Sequence, residues 1–232
     1  MKKYLIDIHC HTAETSNCGK TPADELVRLY HSMGYSGVLI TDHLHNYTFK
    51  TLKKTIANPT WDEKIDYLLK GYKNALKEAE KYDNFKVYLG AELRFDENDN
   101  DYLVFGLSED KLRHMEGVVE MDPESGIKFV QSMGCAVIQA HPFRNDCVVV
   151  QPNLLNGVEV FNGHRGHDSR NDIALMWAKK FNYIMTSGTD FHGEHDPNSG
   201  IYVDELPENE EELRDIILSR NFELKTNGEI DI

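Results

Sequence analysis

The sequence predicts an α/β fold of the TIM-barrel type, in which short strands alternate with helices. About seven short apolar runs alternate with amphipathic segments along the 232 residues, as repeated β-α units require. Six of these runs end at or next to a histidine or an acidic side chain. Active residues at the carboxyl ends of strands are typical of (β/α) barrels. Eight full units need roughly 250 residues, so the length favours fewer units or a distorted barrel. An open doubly wound sheet is the alternative, but it would spread the six strand ends along a line.

The first β-α-β unit is predicted within the first 41 residues. Residues 3–8 form an apolar strand candidate, and a helix follows with Thr21 as N-cap and Pro22 at its first position. Apolar side chains at the spacing i, i+3, i+4 and i+7 give that helix one buried face; they are Leu26, Leu29, Tyr30 and Met33. Gly34 is a suitable helix stop, and the run 37–41 is the next strand. Short β-α-β units favour parallel strands.

The remaining elements follow in the same alternation. A capping box at Thr60 opens a helix that is predicted to extend to about Tyr82. The polar stretch 96–101 is expected to be a solvated hairpin connection. The other predicted strands are 85–93, 102–107, 135–140, 157–161, 183–187 and 222–226, and the other predicted helices are 123–133, 168–180 and 208–219. No low-complexity linker interrupts the chain, so we expect one domain over residues 1–232.

Composition limits the classes of function. The net charge of −14, from 39 acidic and 25 basic residues, disfavours an extended nucleic-acid surface, which needs clustered lysine and arginine. A small anionic substrate is still compatible, because bound cations invert the local field. The four cysteines contain no CxxC pair and are expected to be free thiols in a reducing compartment. No apolar run approaches the ~18–20 residues of a membrane span, so we expect a cytoplasmic protein.

The residues that end the apolar runs have the chemistry of metal ligands. His9 and His11 lie one pleat apart on a strand and point the same way. The full set of candidates is His9, His11, Asp42, His43, Glu92, His141, His164, Asp190 and His192. One zinc ion normally takes four ligands, so this set suits two or three divalent ions of the Zn, Mn or Fe type. Glu92, a lone acid at a strand end, is expected to bridge two of them.

Five motifs in this set resemble those of the PHP (polymerase and histidinol phosphatase) family. They are HxH at 9–11, TDH at 41–43, GAE at 90–92, AHP at 140–142 and DxH at 190–192, in the family's order. The resemblance extends from Asp7 to His192. It implies a distorted (β/α)7 TIM-like barrel with the metal site at the carboxyl ends of the strands. It also implies phosphoester hydrolysis by a hydroxide that bridges two metal ions.

The resemblance further implies how the ligands are shared among the ions. The first ion would take His9, His11, Glu92 and Asp190. The second would take Glu92, His141 and a histidine after the sixth strand, for which we favour His164 over His167. The third would take His43 and His192. Asp42 is expected either to bridge or to support a ligand.

One part of the family pattern is missing from this chain. Many members carry an Asp or His five or six residues after the second histidine of HxH, as a further ligand of the third ion. Here Ser16 and Asn17 occupy those positions. Asn17 would be a weak ligand, and Glu14 or Cys18 are alternatives. We therefore expect the third ion to bind loosely or not at all.

The predicted chemistry is hydrolysis of a small phosphorylated metabolite or nucleotide, with Glu92, Asp190 and Arg144 as catalytic groups. Arg144 follows His141 by three residues and can clamp a phosphate bidentately; Arg165 and Arg170 are weaker candidates for the same task. No general acid is evident, and His167, His45 and His195 are the possibilities.

Two other functions remain open on the same residues. One is an amidohydrolase-type reaction that cleaves an amide or a lactone, which the predicted Arg144 clamp disfavours. The other is a non-catalytic, metal-binding regulatory module, like some polymerase-attached members of the family; the lack of a polymerase region in the 232 residues disfavours it. Histidinol phosphate is a possible substrate from the family's name alone.

Overall fold

Two β-sheets and the helices around them form a mixed α/β fold in this computed structural model, which describes residues 3–193 and 195–228. The strands are β1 (Tyr4–Cys10), β2 (Gly37–Ile40), β3 (His43–Leu44), β4 (Lys86–Leu89), β5 (Ala91–Arg94), β6 (Asp101–Phe105), β7 (Ala136–Gln139), β8 (Gly157–Asn162), β9 (Ile184–Gly188), β10 (Gly200–Val203) and β11 (Glu223–Lys225). The helices are α1 (Ala23–Ser32), α2 (Asn46–Leu52), α3 (Trp61–Ala79), α4 (Glu109–Arg113), α5 (Pro123–Ser132), α6 (Asn171–Phe181) and α7 (Glu210–Ser219), with a short 3₁₀ turn at Val118–Glu120. The predicted α/β class is confirmed.

The strand order brings the early strands beside each other. The first sheet has the order β11-β10-β1-β2-β4, and β1, β2 and β4 run parallel within it. The second sheet has the order β3-β5-β6-β7-β8-β9. Its strands are parallel except for β6, which is antiparallel to both of its neighbours. The parallel β1-α1-β2 unit that the sequence predicts is therefore present.

The two sheets meet at two places. At the first, Gly90 connects β4 of the first sheet to β5 of the second, and its N–H extends the β2/β4 pairing by donating to the carbonyl of Ile40 at 2.9 Å. On the other side, the N–H of Asp190 donates to the carbonyl of His9 at 2.8 Å, and that of His11 donates to Phe191 at 3.1 Å. These bonds gather the carboxyl ends of β1, β2 and β9 and the start of β5 into one region.

Local sequence signals explain the main helix starts and the core. Thr60 caps α3 in a complete capping box with Glu63, and Asn209 accepts from Glu212 N–H at the start of α7. Strands β6, β7 and β8 are buried along their whole length.

Within the described residues, no helix combines the length and the apolar character that a membrane crossing requires.

Several expected boundaries are wrong. The N-cap position of α1 is Pro22 rather than Thr21, and the predicted strand 85–93 divides at Gly90 into β4 and β5, which belong to different sheets. The stretch 96–101 is not solvated throughout, because Asp101 is fully buried in β6. Arg94 stabilises that buried carboxylate with two hydrogen bonds of 2.6 Å. Paired in this way, a buried charge is tolerated.

Candidate metal centre

The end of β1 presents two fully buried imidazoles to the junction of the sheets. His9 Nε2 lies 3.3 Å from Glu92 Oε1 and 3.3 Å from Asp190 Oδ1. His11 Nε2 lies 3.4 Å from Glu92 Oε2 and 3.3 Å from the same Asp190 oxygen. The period-two alternation of the strand therefore aims both rings at the same two carboxylates, as the HxH spacing predicts.

Glu92 is the centre of the cluster. His43 pairs with it in the β3/β5 register, and the His43 Nδ1 atom lies 2.7 Å from Oε2. His141 Nε2 lies 3.1 Å from Oε1. Together with His9 and His11, four imidazoles lie within 3.4 Å of one buried carboxylate.

Asp190 closes the cluster from the end of β9. Its backbone has a φ of 49°, in the left-handed region that non-glycine residues seldom adopt. In this conformation the N–H of Asp190 donates to the carbonyl of His9. At the same time its carboxylate lies 3.5 Å from His167 Nε2 and 3.6 Å from His192 Nδ1. His141 also has a positive φ, of 28°. Strained backbone at two residues of one cluster is typical of functional sites.

Charge and burial oppose each other strongly in this cluster. Burial alone would raise the pKa of Glu92, but positive charge on His43 and His9 holds it well below its ordinary value. Burial would lower the pKa of His9, yet Asp190, Glu159 and Glu92 raise it well above its ordinary value. Burial, followed by the charge of His11, lowers the pKa of His192 to about 3. The pKa values of Glu92 and His9 thus reflect close packing of opposite charges in low dielectric, whereas that of His192 reflects burial beside another histidine.

The polar atoms of the cluster are poorly satisfied by the protein itself. The buried atoms that make no hydrogen bond of acceptable geometry include His9 Nε2, His11 Nε2, His43 Nδ1, Glu92 Oε2 and His192 Nδ1. Leaving such atoms unpaired is costly, and imidazole and carboxylate donors suit Zn, Mn or Fe ions. Within the part of the chain that the structure describes, the sets able to hold an ion are His11/His43/His192, His9/His141/Asp190, His9/His11/Glu92 and His43/Glu92/Asp101. The donors therefore fit divalent cations.

Glu159 in β8 is a buried partner that the sequence interpretation missed. Its Oε1 lies 2.9 Å from His9 Nδ1, so the other ring nitrogen of His9 faces Glu92. Its Oε2 accepts from the N–H of His141 at 3.0 Å and from Asn162 Nδ2 at 2.9 Å. Carboxylates that orient metal-binding histidines in this way tune the site. The signal in the sequence was an acid between two valines of a buried strand.

Asp42 supports the loop after HxH. Its carboxylate accepts four hydrogen bonds, from Thr12 N–H (2.7 Å), Thr12 Oγ1 (2.6 Å), Thr15 Oγ1 (2.7 Å) and Ser16 Oγ (2.9 Å). Within the described part of the chain it belongs to none of the sets able to hold an ion. Its position favours a supporting role over direct ligation.

The side chains considered for the third ion differ in what they contact. Asn17 Oδ1 accepts from Thr51 Oγ1 at 3.1 Å. Glu14 accepts from the N–H of Ala23, at the start of α1, at 3.0 Å. Cys18 lies beside a histidine of the cluster, with its Sγ 3.2 Å from His43 Nε2.

The two histidines after β8 have different surroundings. His167 Nε2 faces Asp190, and its ring centroid lies 5.5 Å from that of His141. His164 accepts from Gly166 N–H at 2.7 Å through Nδ1 and stacks on His167 at 4.7 Å. The geometry therefore favours His167 as the histidine ligand of the second ion, whereas the sequence favoured His164.

The candidate phosphate-binding arginines lie at the rim. Arg144 Nη2 donates to Asp101 Oδ2 at 3.1 Å, beside His141. Arg165 is exposed and lines a cavity of ≈510 Å³ together with His164 and His167. Arg170 lines the same cavity and donates to the carbonyl of Phe143 and to Asn145 Oδ1.

The other two histidines considered as general acids lie in loops near the cluster. His45 caps α2 by accepting from Thr48 N–H at 3.1 Å. Burial, followed by the charge of His43, lowers the pKa of His45 to about 4, so its ring is neutral at neutral pH. His195 is partly buried, and its ring centroid lies 6.1 Å from that of His164.

Solved structures share this fold, among them the following three. A two-domain protein from Bacteroides vulgatus, described as containing a predicted PHP-like metal-dependent phosphoesterase, matches with a TM-score of 0.70 and 16% identity, over 97% of this chain and 65% of that one. This chain thus spans slightly less than two thirds of that protein. A putative metal-dependent phosphoesterase from Bifidobacterium adolescentis matches with a TM-score of 0.55 and 19% identity, over 94% and 96% of the two chains. An amidohydrolase from Chromobacterium violaceum, with bound sulfate and no metal, matches with a TM-score of 0.51 and 15% identity, over 94% and 97%.

Sequence comparison places the chain in a family. No curated protein matched it, and the identities to the three solved structures are low enough that those likenesses concern the fold alone. A scan against protein families, in contrast, matched the PHP domain over residues 7–219. That match covers all five motifs, from HxH to DxH. The chain therefore belongs to the PHP domain family.

Proposed function

We propose that the protein is a metal-dependent phosphoesterase that hydrolyses a small phosphorylated metabolite or nucleotide. The observation that carries the proposal is the convergence of four imidazoles, three of them buried and that of His43 partly buried, on Glu92, with Asp190 closing the cluster. Nitrogen atoms of this cluster lack hydrogen bonds although they are buried. Such a site is far more stable with cations than without them.

We assign the ligands by the distances within the cluster. His9, His11, Glu92 and Asp190 would hold the first ion. Glu92 would bridge to the second, together with His141 and His167. His43 and His192 would hold the third, with Asp42 supporting the loop beside them. Zn, Mn and Fe all suit these nitrogen and oxygen donors.

We also propose that the two sheets form one distorted seven-unit barrel. The direct connection from β4 to β5 through Gly90 on one side and the backbone bond from Asp190 to His9 on the other support a closed arrangement. Barrel closure would explain why strand ends from distant parts of the sequence meet around one site.

The four cysteines are free, which supports the expected reducing, cytoplasmic environment.

The residues of this chain would divide the work as follows. When bound, divalent ions lower the pKa of a water molecule and neutralise charge on phosphoryl oxygens. Glu92 and Asp190 hold the cluster together and stay ionised, because their pKa values lie well below the ordinary range. Glu159 keeps His9 oriented toward Glu92. Arg144 contacts Asp99 and Asp101 through Nη2, and a guanidinium has five N–H donors, so others can reach a phosphate.

Arg165 is a second candidate for substrate binding. It lines the polar cavity beside His164 and His167, where it would contact the part of the substrate that lies beyond the phosphate. The cavity volume of ≈510 Å³ is in the range of small-molecule sites. This supports a metabolite or mononucleotide over a long oligonucleotide.

The test is a substrate screen on metal-analysed protein. The chain is purified with Mn or Zn, bound metal is counted, and phosphomonoesters, phosphodiesters, lactones and amides are assayed beside a Glu92→Ala control. We expect turnover of at least one phosphate ester and none by the control. Turnover of lactones or amides alone would support the amidohydrolase alternative, which the fold shared with an amidohydrolase keeps open. No turnover by metal-replete protein would favour a non-catalytic module.

A further inference from the structure

Helix α6 presents an apolar ridge to solvent. Ile173, Trp177 and Phe181 follow one another at intervals of four residues, so they form one row along the helix. Ile173 is 40% exposed and Phe181 is 36% exposed, while Trp177 is half-buried. The ring centroids of Trp177 and Phe181 are 4.4 Å apart, and that of Phe143 lies 6.0 Å from Trp177. A contiguous row of exposed apolar side chains is typical of an interaction surface.

The neighbouring ridge of α6 has an apolar centre and oppositely charged ends. It consists of Asp172, Met176 and Lys180, again at intervals of four residues. Met176 is 69% exposed, and Asp172 and Lys180 are exposed as well. At a rise of 1.5 Å per residue, each charged residue lies about 6 Å along the helix axis from Met176. The negative and positive ends of this ridge are therefore at equal distances from Met176.

This arrangement makes the surface of α6 complementary to itself. Ridges of residues four apart pack into the grooves of a facing helix in the commonest class of helix–helix contact. A two-fold axis brings the same surface of two copies together. With the axis at Met176, the two helices are antiparallel and Asp172 lies at the level of Lys180 of the partner subunit. Each end of the contact then joins opposite charges.

The charge of the protein favours a second copy at this surface over contacts elsewhere. The net charge of −14 makes two copies repel each other over most of their surface. Helix α6 contains one acidic residue, Asp172, and two basic residues, Lys179 and Lys180. Two copies can therefore meet at α6 with local attraction in place of repulsion.

The apolar surface continues beyond the end of α6. The ring centroid of Phe181 lies 6.4 Å from that of Tyr183. Tyr183 lines a largely apolar cavity of ≈420 Å³ together with Met185, Phe222 and Leu224. A stable dimer buries roughly 800 Å² per partner, which is more than a helix about 16 Å long supplies by itself. The adjoining cavity adds apolar area next to the helix.

We propose that two copies of this chain form a symmetric dimer by antiparallel pairing of their α6 helices, with Met176 at the two-fold axis. The pair of Asp172 with Lys180 of the partner subunit forms twice, once at each end of the contact. Exposed ion pairs contribute little affinity, so burial of Met176, Trp177 and Phe181 supplies most of it. The ion pairs fix the direction of pairing. The inference does not depend on the proposed function.

Charge reversal across the two-fold axis tests the proposal. The molar mass of the metal-loaded, full-length protein is measured by analytical ultracentrifugation over the micromolar range of concentration. The variants are Asp172→Lys, Lys180→Asp, both changes in one chain, and a mixture of the two single variants. Met176→Glu tests the axis, and its matched control is Met33→Glu, at a side chain that is 39% exposed at the end of α1. Circular dichroism checks that each variant is folded.

We expect dimers for the wild type and for Met33→Glu. Met176→Glu should weaken dimerisation by about 100-fold or more, because it buries two unpaired carboxylates at the axis. Each single charge reversal should weaken dimerisation by about 10-fold, because two attractive pairs become repulsive. The double variant and the mixture should both dimerise as the wild type does, because each restores opposite charges at both ends of the contact.

Three results would overturn the proposal. The first is a wild type that is monomeric throughout the micromolar range, which would leave this surface to a different protein. The second is a dimer that Met176→Glu does not weaken, which would place the interface on another surface. The third is a mixture of the two single variants that dimerises no better than either alone, since Asp172 and Lys180 would then not face each other across the axis. Each of these results leaves phosphoester hydrolysis untouched.

Discussion

Asp7 offers a prediction whose size follows from the structure. This fully buried aspartate in β1 accepts from His9 N–H at 3.2 Å, from Thr189 N–H at 3.0 Å, from the Tyr30 hydroxyl at 2.5 Å and from the Thr189 hydroxyl. Burial raises the pKa of Asp7 from 3.8 to about 6, although these hydrogen bonds lower it. The carboxylate therefore links β1 to the Thr189-Asp190 turn at a cost in stability when it is ionised.

The pH dependence of stability that Asp7 causes has the opposite sign to that of a surface acid paired with a base. Between about pH 4 and pH 6 the folded state binds more protons than the unfolded state, so stability falls as pH rises and then levels off. At about 1.36 kcal/mol per pH unit, the difference between 3.8 and about 6 amounts to ~3 kcal/mol. About half of this, ~1.4 kcal/mol, accrues between pH 5 and pH 7.5.

The perturbation is Asp7→Asn, which keeps the shape and removes the charge. The amide oxygen can accept the two N–H bonds, and the amide nitrogen can donate to the two hydroxyls once these reorient. The free energy of unfolding by urea is measured for both proteins at pH 5 and pH 7.5, with equal metal content. We expect the difference in free energy of unfolding, variant minus wild type, to be ~1.4 kcal/mol larger at pH 7.5 than at pH 5, because only the wild type loses stability over this range. A difference that stays constant within about 0.5 kcal/mol, the usual effect of a neutral surface change, would refute the assigned pKa.

Three further predictions concern the cluster and its rim. Glu92→Gln removes the central charge, so bound metal should fall by at least one equivalent and hydrolysis should drop below detection; full metal content would contradict the assignment of Glu92. Glu159→Gln should weaken metal affinity by about 10–100-fold with an unchanged circular dichroism spectrum, and an unchanged affinity would show that the His9 contact has no role. Arg144→Ala should lower kcat/KM for phosphate esters by about 10–150-fold, as expected for losing ~1.5–3 kcal/mol of charged hydrogen bonding, at constant metal content. If the exposed Arg165→Ala has the larger effect, the phosphate clamp is Arg165.

Some features of the site could be predicted because they are local. The HxH spacing on a strand aims His9 and His11 the same way in any sheet, and the structure places both on Glu92 and Asp190. The capping box at Thr60 is complete within four residues, and it was predicted and confirmed. Such features depend on backbone period and neighbouring side chains, which sequence contains directly.

Other features could not be predicted because their partners lie far away in the chain. Asp101 looked solvated among acidic neighbours, but the guanidiniums of Arg94 and Arg144 bury and pair it. Glu159 becomes meaningful only beside His9, which is 150 residues distant. The choice between His167 and His164 depends on the path of a loop relative to Asp190.

The sequence by itself determined the α/β class, the family and the kinds of donor at the strand ends, because periodicity and motif order are properties of the linear chain. The tertiary structure alone decided which nitrogen meets which oxygen. It brought Cys18 within 3.2 Å of His43, and it satisfied both oxygens of Asp42 with the loop after HxH. The physical reason is that a metal site is defined by distances of a few ångströms between groups from different strands. Those distances are set by strand pairing and loop packing, which no short segment contains.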